Sequence, residues 1–217
     1  KPAAGEVVLD VQAIRKTFGG LVAVNDISFQ TRAGQIVGLI GPNGAGKSTT
    51  FNLVTGVLGL SGGAVRFRGE AIGGLGARQI AQRGMSRTFQ HVKMVADMTV
   101  LENVALGAHL RGRKGAIAAM LRIDRAEERA LFREAERQLQ RVGMGALLHE
   151  LAGNLAMGQQ RLLEIARALC ADPALLLLDE PAAGLREQET EHLAGVIRRI
   201  PEQFGALTIL VDHDMSL

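Results

Sequence analysis

The sequence predicts an α/β fold carrying an inserted helical lobe, and three observations support it. The first is a strand, turn and helix in succession. Apolar Gln35-Ile36-Val37-Gly38-Leu39-Ile40 runs into Gly41-Pro42-Asn43-Gly44-Ala45-Gly46-Lys47-Ser48 and Thr49, and Ser48 to Val57 reads as a helix. The second is Leu175-Leu176-Leu177-Leu178-Asp179-Glu180, which reads as a strand buried on both faces that ends in two carboxylates. The third is a change of pattern from Met98 to about Gly145, where strand alternation gives way to charged helical sequence before the α/β pattern returns past Ala156.

Gly41 to Ser48 has the form G-x-x-x-x-G-K-[ST]. Its glycines let successive backbone N–H groups turn inward with no side chain in the way of a phosphate. Lys47 has the reach for the outer phosphates, and the Ser48 hydroxyl is a ligand for Mg²⁺. The helix that follows offers roughly half a positive charge at its N-terminus to the same anion. The stretch therefore implies a nucleoside triphosphate site.

Asp179 and Glu180 complement it. A buried strand delivers Asp179 to the metal, and Glu180 falls one residue further, placed to orient or deprotonate a water facing the γ-phosphate. Alone, 175–180 would equally well be a core strand stopping at a charged turn. Together with the glycine loop it reads as the second half of a phosphoryl-transfer site, where positioning and charge neutralisation do most of the catalysis.

The remaining elements follow in order. Glu6 to Ile14 alternates as a strand with Val7, Leu9 and Val11 on one face, Gly19-Gly20 turns, and Leu21 to Phe29 is a further strand. Ser61-Gly62-Gly63 is a turn before the strand Ala64 to Gly69, Ala77 to Arg83 is a short helix, and Met85 to Gln90 is extended. Thr99 caps a helix reaching Gly107, with Glu102 completing a capping box. Arg111 to Gly115 is a basic loop, and Ile117 to Val142 is a helix or a broken pair. There Arg125, Arg129, Arg133, Arg137 and Arg141 form a stripe; interleaved Glu127, Glu128, Glu134 and Glu136 favour a solvated face over one facing acidic lipid. Gln159 to Ala171 and Gln188 to Arg199 are helices, and Ala174 to Asp179 and Leu207 to Asp212 are strands.

Composition bounds the function. A chain of 217 residues holds one large core, or a core with a smaller lobe. With 47% hydrophobic residues and 22% charge the chain is globular, and a net charge of +3 gives no argument for nucleic acid as a partner. The single Cys170 excludes an internal disulfide and fits a reducing compartment. No apolar run has the length of a membrane span, and Lys1-Pro2-Ala3-Ala4-Gly5 is no secretory signal. The absence of an initiator Met suggests a fragment, a processed form or a piece of a longer chain.

Leu155-Ala156-Met157-Gly158-Gln159, at the start of a helix, resembles the signature of ABC-type ATPases, usually Leu-Ser-Gly-Gly-Gln. Ala156 stands for the serine and Met157 for a glycine, which puts side-chain contact from position 156 in question while backbone contacts around Gly158 remain. Leu60-Ser61-Gly62-Gly63 looks closer to that signature, but Ala64 replaces the glutamine and a strand follows, so it reads as a hairpin turn. The resemblance extends from Val7 to Leu217 and implies a nucleotide-binding domain over 6–217 with an N-terminal antiparallel β subdomain and a helical subdomain at about 91–158. Because the family continues past the position of His213, it also implies that the domain is cut short.

The resemblance assigns roles residue by residue. Phe18 matches the aromatic that stacks on adenine, and Gln90 the glutamine that ligands Mg²⁺ or water, alongside Ser48 and Asp179. His213 matches the histidine that contacts the γ-phosphate. With Lys47 and Glu180, Gln90 and His213 form the implied catalytic set. ATP and Mg²⁺ are held by Gly41 to Thr49 of one subunit, and Ala156, Met157, Gly158 and Gln159 of a second subunit close over them. Pro181-Ala182-Ala183-Gly184-Leu185 resembles the loop that crosses the dimer interface, with Arg186 where an Asp is usual.

Phe18 to Val24, Arg87 to Gln90, Met98 to Val104, Ala152 to Ala156 and Asp179 to Leu185 are most similar to the ATPase subunit of branched-chain amino acid importers. That implies two transmembrane permease subunits, a periplasmic solute-binding protein and a place on the cytoplasmic face of a bacterial inner membrane. Urea uptake, lipopolysaccharide export or a non-transport ABC protein are the alternatives; the last has two nucleotide domains or a long coiled coil, neither of which is present in the sequence.

Overall fold

The computed structural model describes residues 3, 5–88, 94–109, 125–204 and 207–212. They form two compact units, one built from Lys1–Arg87, Ala174–Pro181 and Arg198–Leu217, the other from Thr88–Pro173 and Ala182–Ile197.

The first unit contains two sheets. Strands β1 (Val7–Phe18) and β2 (Leu21–Arg32) make an antiparallel hairpin closed at Phe18 and Leu21, and β4 (Gly62–Phe67) and β5 (Glu70–Ala71) complete the sheet in the order β2-β1-β4-β5. Leu9 and Val11 of β1 are buried as their alternation predicts, but Val8 and the out-of-phase Ile14 are buried as well and Val7 only half so. A register shift between Val7 and Leu9 breaks the alternation there. A second irregularity lies at Ala13, whose φ of 47° marks a bulge and whose N–H donates to Ser28 Oγ at 2.8 Å. Gly63 accommodates that bulge: a β-carbon there would collide with the Ala13 carbonyl oxygen. This is why β4 starts at Gly62, paired with Arg15, rather than at Ala64 as the sequence pattern predicts.

The second sheet is parallel, with β3 (Ile36–Ile40), β8 (Leu207–Asp212), β7 (Leu175–Asp179) and β6 (Met85–Arg87) in the order β3-β8-β7-β6. All five residues of β7 are buried, as expected of a central parallel strand covered on both faces. Helix α1 (Lys47–Val54) sends Phe51, Leu53 and Val54 into the core formed with Leu9, Val65, Phe67 and Leu177. Each such apolar side chain contributes about 1.5–3 kcal/mol. The helix stops three residues short of the predicted Val57, because Gly56 turns to a φ of 69° under the Leu75 carbonyl. Helix α2 (Ala77–Gln82) buries Ile80.

The second unit is helical: α3 (Val100–His109), α4 (Arg125–Arg141), α5 (Met157–Cys170) and α6 (Glu187–Phe204) as far as Ile197. The capping box at Thr99 is formed, with Thr99 N–H donating to Glu102 Oε2 at 2.8 Å and Glu102 N–H to Thr99 Oγ1 at 3.2 Å. One residue on, Asn103 is fully buried. Its amide donates to the carbonyls of Val95 and Thr99 at 3.0 Å, and its oxygen accepts the Val95 N–H at 2.8 Å. Residues 94–99 are thereby fastened to α3. Helices α3 and α5 meet at Gly107, where a β-carbon would collide with the Arg167 carbonyl oxygen. On α4, Arg129, Arg133, Arg137 and Arg141 are exposed, in keeping with a solvated stripe, while Ala135 and Leu139 face the helical core. Residues 110–124, including the predicted basic loop, lie outside the described part.

Candidate nucleotide site

The parallel register sets the site. Ile40 is level with Asp212 and Asp179 with Val211, so β3, β8 and β7 all end at one edge of the sheet. Ligands of open parallel sheets bind at this carboxyl edge. From it leave the glycine loop after Ile40 and Asp179 with Glu180.

In the loop, Gly44 and Gly46 both have φ near +84°, the left-handed region that glycine enters without strain. Gly46 also packs on β2, where a β-carbon would stand 2.6 Å from the Ala23 carbonyl oxygen. The helical ladder of α1 starts with Thr50 N–H donating to Gly46 O at 2.8 Å. The amides before it point out of the helix end toward the loop. Lys47 is 8% exposed and turns its ammonium back into the loop, donating to the carbonyls of Gly41 and of Pro42, the latter at 2.9 Å. The ammonium is thus held by two loop carbonyls, with one of its three donors left for a phosphate oxygen. Ser48 is exposed and Thr49 half-buried.

Asp179 is 6% exposed and Glu180, next to it, is half-buried. Glu180 has a φ of 45°, a left-handed conformation that costs a non-glycine residue about 1–2 kcal/mol. The strand thereby ends abruptly between the two carboxylates. Phe18, at the tip of the β1–β2 hairpin, is 46% exposed, and Lys16 Nζ lies 5.1 Å from its ring centroid.

One participant was missed by the sequence reading. Arg87, at the end of β6, donates from Nη2 to Asp179 Oδ2 at 2.7 Å, and from Nη1 to Asn52 Oδ1 at 2.6 Å and Thr55 Oγ1 at 3.3 Å. Its guanidinium also stands 5.6 Å from the Phe51 ring centroid. No local sequence signal marks it, because strand pairing alone brings it beside Asp179.

The helical unit holds the other predicted group. Ala156 is the N-cap of α5 and has no side-chain oxygen to bond the first amides of the helix. Gln159 supplies half of a capping box instead, accepting the Ala156 N–H at 3.0 Å. Met157 is 52% exposed, and its sulfur would lie 3.2 Å from a β-carbon at Gly184. Gly158 lies against Glu189. Gln90 and His213 lie outside the described residues.

The donors suit a hard cation: a hydroxyl at Ser48 and a carboxylate at Asp179 are oxygen ligands of the kind Mg²⁺ takes. Among the described residues no cluster of three His, Cys, Asp or Glu side chains could hold a metal alone. The other ligands would be phosphate oxygens and water.

A glycine loop around a lysine, with an acidic pair on a nearby strand of the same parallel sheet, defines a P-loop nucleoside triphosphatase. The family model described as ABC transporter matches residues 24–183, and the chain belongs to that family, as one of its ATPases. The branched-chain amino acid transport ATP-binding protein LivG of Salmonella typhimurium is 42% identical over 213 residues, spanning 97% of this chain and 83% of that protein. The corresponding protein BraF of Pseudomonas aeruginosa is 40% identical over 212 residues, with the same coverage. In structure, the chain resembles MJ1267, an ATP-binding cassette of an ABC transporter in its ADP conformation, with a TM-score of 0.85 and 29% identity over 97% of this chain and 82% of that one.

Proposed function

We propose that this chain is the subunit that drives an ABC importer of branched-chain amino acids by hydrolysing ATP. Two copies, or one copy and a related partner, would sandwich ATP beneath two membrane-spanning permease subunits on the cytoplasmic face of the inner membrane. A periplasmic binding protein would deliver the solute. The observation that carries this reading is the Lys47 loop and the Asp179-Glu180 pair on one sheet edge, in a chain 40–42% identical to LivG and BraF over almost its whole length. Among the described residues no helix is long and apolar enough to cross a membrane, so translocation would fall to other subunits.

In this reading the loop amides and Lys47 hold the β- and γ-phosphates, and Phe18 offers its ring face to adenine. Ser48, Asp179 and Gln90 would hold Mg²⁺, which supplies charge neutralisation at the phosphates. Glu180 orients the attacking water and accepts its proton, while His213 contacts the γ-phosphate. From the partner subunit, the α5 amides around Gly158, with Ala156, Met157 and Gln159, close over the same phosphate. Ala156 contributes no hydroxyl there, so the contact rests on backbone N–H groups and the positive helix end.

The test is purification of the full-length protein from membranes. Permease subunits that co-purify and raise its ATPase rate when a branched-chain amino acid and its binding protein are present support the reading. Stimulation by a different solute, or co-purification with ribosomes or DNA, contradicts it.

A further inference from the structure

Ser48 and Asp179 come from different elements, a helix and a strand, and something must set their separation. Asn52 lies one helical turn beyond Ser48, on the same face of α1. The Arg87 guanidinium bonds Asn52 with one nitrogen and Asp179 with the other, at 2.6 and 2.7 Å. The ion pair is well shielded, its side chains being 11% and 7% exposed. Buried pairs of this kind add little net stability, because desolvation offsets the attraction, but they fix geometry closely. A planar fork holds two acceptors at a separation set by its fixed donor angles, which the rotating ammonium of a lysine does not impose.

We propose that Arg87 is a positioning residue that clamps the Ser48 face of α1 to the Asp179 end of β7, and so sets the spacing of the two oxygen donors offered to Mg²⁺. One Asp179 oxygen is engaged by the guanidinium, which holds the carboxylate in one orientation and leaves the other oxygen for the site. In this role Arg87 acts through Asn52 and Asp179 rather than by contact with nucleotide or metal. The inference rests on the ATPase reading above. It predicts that loss of the fork weakens the Mg²⁺-dependent part of nucleotide binding and spares the metal-free part, which belongs to Lys47 and the loop amides.

The experiment measures binding of trinitrophenyl-ATP by fluorescence, first in EDTA and then in a Mg²⁺ titration, for wild type, Arg87→Lys and Asn52→Ala, each checked for folding by circular dichroism. Substitutions behind a metal ligand typically weaken metal affinity about 10- to 100-fold. The expected result is a rise of at least about tenfold in the Mg²⁺ half-saturation point for Arg87→Lys, with a smaller rise for Asn52→Ala and affinities in EDTA within about twofold of wild type. An unchanged Mg²⁺ half-saturation point in folded Arg87→Lys overturns the proposal. So does an equal loss of affinity in EDTA, which would make Arg87 a strut for the loop. If Arg87→Lys does not fold, Asn52→Ala decides: a raised half-saturation point supports the clamp and an unchanged one overturns it. A wild type that binds no nucleotide under either condition overturns the ATPase reading, and the clamp with it.

Discussion

Gly158 and Glu189 are so closely packed that a β-carbon at Gly158 would lie 2.8 Å from Glu189 Oε1 and 3.3 Å from its β-carbon. The other Glu189 oxygen accepts the Arg186 N–H at 3.0 Å, capping the start of α6. One carboxylate therefore links the start of α6 to the first turn of α5. The carboxylate end would have to swing away, and the Glu189 β-carbon would have to give by a few tenths of an ångström. Gly158→Ala should lower ATPase turnover by at least about tenfold, a loss of about 1.4 kcal/mol in the barrier. Binding of ATP by the isolated subunit should change little if, as proposed, Gly158 acts on a partner's nucleotide. Titration calorimetry alongside steady-state turnover would show this, and a parallel loss of both would sink the assignment in trans.

Lys47 bonds two carbonyls of its own loop, and in the proposed role it adds its positive charge to the phosphates. A hydrogen bond to a charged group is worth about 1.5–3 kcal/mol. Lys47→Ala should therefore weaken ATP binding about 10- to 100-fold while leaving the melting temperature within a few degrees of wild type. Near-normal affinity in that variant would contradict the role.

Asn103 holds residues 94–99 against α3 from a fully buried position. Asn103→Ala leaves the Val95 N–H and several carbonyls without their partner, at a cost of about 1–3 kcal/mol. The melting temperature should fall by several degrees. A variant that melts with wild type would mean that water replaces the amide without loss.

Glu102 gives the clearest pH signature. Its pKa is lowered, first by the backbone hydrogen bond from Thr99 and then by the one from the Thr99 hydroxyl; its slight burial opposes both. A carboxylate lowered in the folded state stabilises at neutral pH, and that contribution is lost as pH falls through the folded pKa, below the ordinary glutamate range. Glu102→Gln should thus lower stability at pH 7 and converge with wild type in strong acid. Denaturant melts across pH would reveal a constant offset if the reading is wrong.

Legibility in the sequence followed locality. The glycine loop and the Leu175–Glu180 run could be read because each function is written in consecutive residues, and the Thr99–Glu102 box because its partners are three apart. Arg87 could not: its acidic partner lies 92 residues away, and only strand pairing places them together. The burial of Val8 and the early start of β4 depend on irregularities of register, which a period-two pattern does not encode. The strain at Glu180 was equally hidden, since glutamate carries no mark of a left-handed backbone. The crossing at Gly107 and the contact of Gly158 with Glu189 were invisible for the same reason as Arg87, being set by helices distant in sequence.

The central claim is that this chain holds half of a catalytic site and completes it with a second subunit. The most direct test is the solution mass of Glu180→Gln by light scattering at saturating Mg²⁺-ATP. Slowed hydrolysis should trap the sandwich, so the account predicts a nucleotide-dependent doubling of mass, absent without ATP. A protein that stays monomeric with ATP bound, and hydrolyses it at the wild-type rate, would contradict it.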